Sequence, residues 1–576
     1  MNVSKLGKRI SALCSVAFMA ATVTNAQQVK NIIVLVPDGC NEAVQTVARW
    51  YKGSALAVDS IHAGDVAVHM ANSVIPGSGA CATSFASGHK TSVKFIGVGP
   101  RTDDLLTGLD PTAPPYAPLA TVLEAAKSKG KSTGLISTSR ITHATPAAFA
   151  AHIHNRGLEN EIMEHMVYNN LDLAFGGGLR HLVPEDESYT TSFGDSWSGK
   201  RKDGQNLLQV LEDRQYQVVD NKDDMQDLTS GKVWGMFASS HMRADLDRTR
   251  FAPTEPSIAE MTRKAIELLS KDDDGFFLMV EGSQVDWAGH ANDPIYMVTD
   301  FLAFDDAVKE ALDFAETDGN TLVLAYPDHN TGGMAIGQYR NDSYYTAIPL
   351  EDLIDPLKEM KITAGALASL IGSNPTHNTI KENVTTEWGI DLTDADCEEI
   401  LELEPTVGLG YALARVISKN YTIIGWTTHQ HNAETVPLWA YGPGAPSGLF
   451  DNTDLAKIKA AAFGVDLDEL TDELYMDVSQ RTDDFTIDTT TPGDWFLQLG
   501  DDKRIALNKD YMELNGSRIT LPSLNVYAPI TDKAYISAEA FDTPTVPVNS
   551  SVGGTAFEDP GFNGSQYDPL YKRSRK

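Results

Sequence analysis

Side chains able to hold a cation stand at the ends of apolar runs throughout this sequence. Asp38 follows the run 31–36, while Glu281, Asp286 and His290 follow 276–280. Asp328 and His329 follow 321–325, and His429 and His431 come just ahead of 436–441. Burying an unpaired carboxylate costs several kcal/mol, so a set of them gathered at such positions implies bound cations. Asp286 and His290 are four apart, which puts both on one face of a helix if one begins there, and such a pair supplies half of a zinc site. The mixed O/N pair Asp328-His329 suits a second zinc, while Glu281 and Asp38 with hydroxyl oxygens suit the harder Mg²⁺. His429 and His431 are two apart and share a strand face, so spacing alone does not choose between them. Ser78 is a nucleophile candidate, set among small residues from Gly77 to Ser84 that let backbone and ligand approach closely. A helix starting there would aim its first N–H groups at an anion beside the hydroxyl.

The elements that must position these groups read as alternating strands and helices. The stretches 31–36, 132–136, 171–175, 276–280 and 321–325 are short, continuous and β-rich, as buried parallel strands are. Helical patterns such as 119–127, 258–269 and 298–314 lie between them. This predicts a three-layer α/β/α fold around a large, mostly parallel sheet, whose ligands bind beyond the carboxyl ends of its strands. Residues 340–420 break the rhythm: helical patterns at 350–357, 364–370 and 393–403, the last with Thr393 as N-cap, predict an inserted helical subdomain. Beyond about residue 468 short strands such as 495–499 and 518–521 predict a small β-rich region, thinning into a Pro/Gly/Ser/Asn-rich tail after Phe541. The domains are therefore placed at 27–467 and 468–576.

The first 26 residues read as an export signal. Lys5, Lys8 and Arg9 precede an apolar run from Ile10 to Val23, and Thr24-Asn25-Ala26 gives a small-residue cleavage site. The expected location is periplasmic or secreted. The 576 residues carry a net charge of −33, and removing a leader with three positive and no negative charges takes it to −36. Such a surface repels nucleic-acid phosphate and anionic lipid, which argues against either as a specific partner. It also repels an anionic substrate unless bound cations reverse the field locally. Cys40, Cys81 and Cys397 are too few for a disulfide framework; a Cys40–Cys81 bridge is the alternative in an oxidising compartment, and buried free thiols are the simpler reading.

Taken in order, the motifs resemble the alkaline phosphatases. The resemblance rests on Val36-Pro-Asp-Gly39, Ser78-Gly-Ala-Cys-Ala-Thr83 with Gly88-His-Lys-Thr91, and Thr142-His-Ala-Thr-Pro-Ala147. It continues through Val280 to His290, Asp328-His329, and His431 ahead of Val436 to Pro443. It implies metal-dependent hydrolysis of phosphate monoesters through a phosphoserine on Ser78, with two Zn²⁺ and one Mg²⁺. Asp286, His290 and His431 would hold one zinc, and Asp38, Asp328 and His329 the other. Asp38 would also reach the magnesium site, completed by Thr145 and Glu281. Spacing to Tyr441-Gly-Pro443 favours His431 over His429. Arg156 would fork onto the phosphate oxygens. Small phosphorylated substrates, broadly accepted, are the implied partners, and a homodimer is left open. In this resemblance Gly77 replaces the Asp that better-known members place before the serine to hold the arginine. His143 and Trp287 fall near the metals without being read as ligands. The alternatives are a phosphodiesterase-type relative and a non-catalytic exported cation-binding scaffold. A sulfatase is disfavoured because the residues after Cys81 contain neither Pro nor Arg through Gly88.

Overall fold

The computed structural model describes residues 29–543. The expected leader and most of the expected tail lie outside the described residues. Ten strands build the main sheet: β1 Asn31–Pro37, β2 His62–Ala67, β3 Ser132–Arg140, β4 Leu173–Gly177, β5 Gln217–Val219, β6 Val233–Ala238, β7 Phe276–Gly282, β8 Thr321–Ala325, β9 Val436–Tyr441 and β10 Gly448–Asp451. Their order across the sheet is β10-β2-β9-β8-β1-β7-β3-β4-β6-β5. All neighbours pair in parallel except where β9 meets β8 and β2, so β9 alone runs backwards.

The central strands are buried on both faces, which is why they read as unbroken apolar runs. Along β1, Ile33 and Leu35 join a core on one face, while Ile32, Val34 and Val36 join the core on the other. The helices Glu42–Lys52, Ile258–Leu269 and Pro294–Asp318 cover the first face. Ser78–Ser87, Val122–Ser128, Ala144–Ala150 and Asn452–Ala462 cover the second. Asn31 pins three strand starts together: its Nδ2 donates to Thr321 Oγ1 at 3.0 Å and its Oδ1 accepts from the Phe276 N–H at 3.1 Å.

The helix expected at 119–127 starts at Val122 instead. Thr121 caps it, accepting from the Glu124 N–H at 3.2 Å while Glu124 accepts from the Thr121 N–H at 3.0 Å, so the apolar Leu119 and Ala120 lie before the cap. Thr393 caps the helix Asp394–Val407 in the same reciprocal way with Asp396.

Five helices between Leu350 and Tyr421 form the insertion, and their apolar faces run into the first core. Two buried carboxylates tie it down: Asp293 accepts from the Ala364 N–H at 2.8 Å, and Asp247 accepts from Thr363 Oγ1 at 2.7 Å. After residue 475 the chain folds into a five-stranded antiparallel meander and a three-stranded sheet around a third core. Asp510 joins this region to the body through Arg214 at 2.7 Å. No helix among the described residues is long and apolar enough to cross a membrane, and all three described cysteines are buried and free.

Candidate active site

Strand register fixes the outline of the site. Val36 of β1 lies opposite Glu281 of β7, which lies opposite Ser137 of β3. The chain beyond the carboxyl ends of β1, β7 and β8 therefore brings Asp38, Glu281, Asp328 and His329 to one edge. Because β9 runs backwards, the residues ahead of it, including His431, arrive at that same edge. The helix Gln284–Ala291 follows β7 directly and carries Asp286 and His290 on one face.

The side chains fall into three donor sets, each with its ligand atoms within 4.8 Å of one another. These are Asp286, His290 and His431; Asp38, Asp328 and His329; and Asp38, His143 and Glu281. Asp38 thus belongs to two sets. Thr145 is the second residue of the helix Ala144–Ala150, and its buried hydroxyl lies beside the Glu281 carboxylate. His429 lies outside the sets. Its Nδ1 meets Asn292 Oδ1 at 2.8 Å and its carbonyl accepts from His290 Nδ1 at 2.8 Å, so it supports His290 from behind.

Hydrogen bonds to the far side of each ring decide which nitrogen faces inward. His290 Nδ1 donates to the His429 carbonyl, and His431 Nδ1 donates to the Pro76 carbonyl at 2.8 Å. Thr331 Oγ1 donates to Asp286 Oδ1 at 2.6 Å, which leaves it to accept from His329 Nδ1 at 3.3 Å. Each Nε2 therefore presents a lone pair to the centre. There they converge on one another and on carboxylates: His431 Nε2 is 3.3 Å from His290 Nε2 and 3.4 Å from Asp286 Oδ1. His329 Nε2 is 3.2 Å from Asp328 Oδ2 and 3.6 Å from Asp38 Oδ1. Both oxygens of Asp38, Oε1 of Glu281 and Oδ2 of Asp328 are buried without a hydrogen-bond donor among the described residues. Acceptors facing acceptors in a buried site form a place that a cation would fit.

The titration of the cage says the same. Burial, then the charges of Asp328, Asp286 and Glu281, push Asp38 well above the usual carboxylate range. Burial, with Asp328 nearby, lifts Glu281 to about 7 against the pull of its Ser283 and Ser137 hydrogen bonds. Burial and the charge of Asp286 raise Asp328 to about 6. For Asp286 the upward push of burial is outweighed by the three histidines around it, and its carboxyl is held low. Burial, then the neighbouring His431, drives His329 well below the ordinary imidazole value, so it stays a neutral ligand.

Ser78 opens the helix Ser78–Ser87, after an extended Gly77. Its Oγ lies 3.2 Å from His329 Nε2, which places the hydroxyl against the second set. Gly39 keeps the cage tight: its φ is +73°, and a Cβ there would sit 2.7 Å from the Asp286 Cα. Arg156 reaches the site from a loop held by its own N–H on the Lys94 carbonyl at 2.8 Å. With Gly77 offering no side chain, its guanidinium is held by His143 instead, Nη2 to Nε2 at 2.8 Å. His143 thus does more than its sequence position implied: it lies beside Asp38 and Glu281, and with Nε2 accepting from the guanidinium its Nδ1 carries the proton, so its part there is to orient the arginine. His241 went unnoticed in the sequence. It follows the carboxyl end of β6, and its ring meets Trp287 edge-on with centroids 4.3 Å apart. That place beyond a strand end was the sign available.

A family model described as "Alkaline phosphatase" matches residues 29–465. The chain is 33% identical over 467 residues to Alkaline phosphatase 3 of Bacillus subtilis (strain 168), covering 77% of this chain and 92% of that one. It is 31% identical to the Repressible alkaline phosphatase of Saccharomyces cerevisiae over 79% of this chain and 84% of that one. Among solved structures it matches Thermus thermophilus alkaline phosphatase with a TM-score of 0.66 at 26% identity, covering 77% of this chain and 96% of that one. It also matches a TAB5 alkaline phosphatase mutant with Mg bound in the M3 site, TM-score 0.53 at 26% identity, covering 77% and 99%. The cage at the sheet edge and these likenesses converge: the chain belongs to the alkaline phosphatase family.

Proposed function

We propose that this chain hydrolyses phosphate monoesters in two in-line displacements through a phosphoserine on Ser78. The observation that carries the reading is the inward convergence of three imidazole Nε2 atoms and undonated carboxylate oxygens beside the Ser78 hydroxyl. Asp286, His290 and His431 would hold one Zn²⁺, and Asp38, Asp328 and His329 a second. Asp38, Glu281 and Thr145 would hold Mg²⁺, with His143 beside them. The Mg bound in the M3 site of the TAB5 mutant supports magnesium in the family. When bound, the ions supply the positive charge that favours the serine alkoxide, the departing alkoxide and an activated water.

The chain's own groups do the rest. Ser78 Oγ attacks phosphorus as the ester P–O bond breaks, and water then breaks the Oγ–P bond to release inorganic phosphate. The first N–H groups of the helix Ser78–Ser87 face the bound phosphoryl group, and Arg156 forks onto its oxygens. With the phosphoryl group held this way, little of the leaving group needs recognition, and a broad range of monoesters follows. Residues 27–467 would carry the reaction, and the leader-like residues 1–26 would direct it outside the cytoplasm.

The test compares wild type with Ser78→Ala on a chromogenic phosphate monoester, with zinc and magnesium supplied. Loss of turnover by about 10³-fold or more is expected. Comparable turnover in the two proteins, or fewer than two transition-metal ions per active chain, would overturn the assignment.

A further inference from the structure

Arg156 meets the site from a loop, and among the described residues His143 is the side chain that hydrogen-bonds its guanidinium, at 2.8 Å. With one such contact at the tip, the place of the guanidinium depends on the place of the loop. Backbone pairing fixes one edge of it. Ile153 exchanges N–H···O bonds with Ile96 at 2.7 and 2.9 Å, and the Arg156 N–H donates to the Lys94 carbonyl at 2.8 Å. What fixes the rest comes from a distant part of the chain.

His152, four residues before Arg156, is 2% exposed. Its Nδ1 donates to the Gly97 carbonyl at 2.9 Å. Its Nε2 lies 2.7 Å from the Tyr475 hydroxyl and 3.1 Å from Glu124 Oε1. The Tyr475 hydroxyl donates to that same carboxylate oxygen, so three buried side chains close a triangle. Burial pushes the Glu124 carboxyl up, and the charge of His152 with these hydrogen bonds outweighs it, holding Glu124 below its ordinary value. Removing one corner of such a network leaves buried polar groups unpaired. Tyr475 follows the helix Leu467–Leu474 and lies beyond residue 465, where the family match ends.

The other flank is held from the same region. The helix Glu159–Tyr168 starts three residues after Arg156, and its His165 accepts the His152 N–H through Nδ1 at 3.2 Å. The His165 ring also hydrogen-bonds the Asn508 side chain. Next to it on the helix, Glu164 Oε1 lies 3.7 Å from Lys509 Nζ, with both side chains buried. Asn508 and Lys509 stand between the meander strands Lys503–Ala506 and Tyr511–Leu514. We infer that Tyr475 and Asn508 are positioning residues: chain beyond the family match braces both flanks of the Arg156 loop and so sets where the guanidinium meets a phosphoryl group. This rests on the reading that Arg156 binds the phosphoryl oxygens.

The test is a double-mutant cycle of wild type, Tyr475→Phe, Arg156→Ala and the double variant, read as the inhibition constant for inorganic phosphate at matched zinc and magnesium content. Tyr475→Phe keeps the ring against His152, with centroids 4.7 Å apart, and removes the hydroxyl alone. It should raise the constant about 3- to 10-fold through a displaced arginine. In the Arg156→Ala background the same change should move it by less than about 2-fold. Asn508→Ala, taken through the same cycle, should show the same dependence on the arginine, and it decides the matter if Tyr475→Phe does not fold. An unchanged constant in Tyr475→Phe, or a rise equally large without the arginine, would overturn the inference. Failure of the underlying reading has a different signature: Arg156→Ala alone leaving phosphate inhibition unchanged.

Discussion

Stripping the cations should reverse the way the cage responds to pH. Glu281 is raised to about 7 from an ordinary 4.5, and Asp328 to about 6 from 3.8. A carboxyl with a raised folded-state pKa holds more protons folded than unfolded between the two values, so stability rises as pH falls through that window. The window here runs from about 7 down to about 4. At pH 8 each charged carboxylate costs the stripped fold on the order of 3 kcal/mol, at 1.36 kcal/mol per pKa unit. Bound cations cancel that cost. Melting temperatures of chelated and of zinc- and magnesium-loaded protein, taken at pH 8, 6 and 4.5, should therefore differ most at pH 8 and draw together as pH falls toward 4. Glu164 and Glu255, each raised to about 7 by burial away from the cage, titrate in both forms and drop out of the difference. Glu281→Gln sharpens the test. It removes the charge at nearly constant shape, so it should stabilise the stripped protein at pH 8, by up to about 3 kcal/mol, and weaken the loaded one. A gap that widens as pH falls, or a Glu281→Gln protein destabilised in both forms, would refute the reasoning.

Arg156→Ala should raise the inhibition constant for inorganic phosphate by roughly 10- to 100-fold, the worth of a charge-assisted pair. His143→Ala, which frees the same arginine, should raise it by less, and an equal or larger rise would assign His143 chiefly to the cations. Gly39→Ala should lower both metal content and turnover, since a Cβ there meets the Asp286 backbone in a left-handed turn, and an active, fully loaded variant would show that the cage tolerates displacement. Thr393→Ala should cost about 1 kcal/mol in denaturant unfolding by removing the cap of Asp394–Val407, with turnover on small monoesters unchanged.

What the sequence could show was whatever is written locally. The runs that became β1, β7 and β8 are buried on both faces, so their signal is continuous, and ligands placed just after them were readable from position alone. The i, i+4 pair Asp286 and His290 needed only the helix that forms there. The choice between His429 and His431 was less accessible, because it turns on which ring faces the Pro76 carbonyl and which meets Asn292, contacts spanning 355 and 137 positions. His143 as the support of Arg156 was likewise hidden: the sequence shows that Gly77 offers nothing, while only the folded loop shows what stands in its place. The short, half-exposed strands of the C-terminal meander gave weak signals for the opposite reason, since a solvated face dilutes the apolar pattern.

The backward course of β9 frees the chain length between His329 and His431. The polypeptide departs from the ligand edge after β8 and comes home to it ahead of β9, so both ends of the excursion are anchored at the same place whatever lies between. Closing a longer excursion costs only about 0.6 kcal/mol per doubling of its length. A shorter or differently shaped insertion can therefore replace the five-helix one without moving the candidate ligands at either end of the excursion.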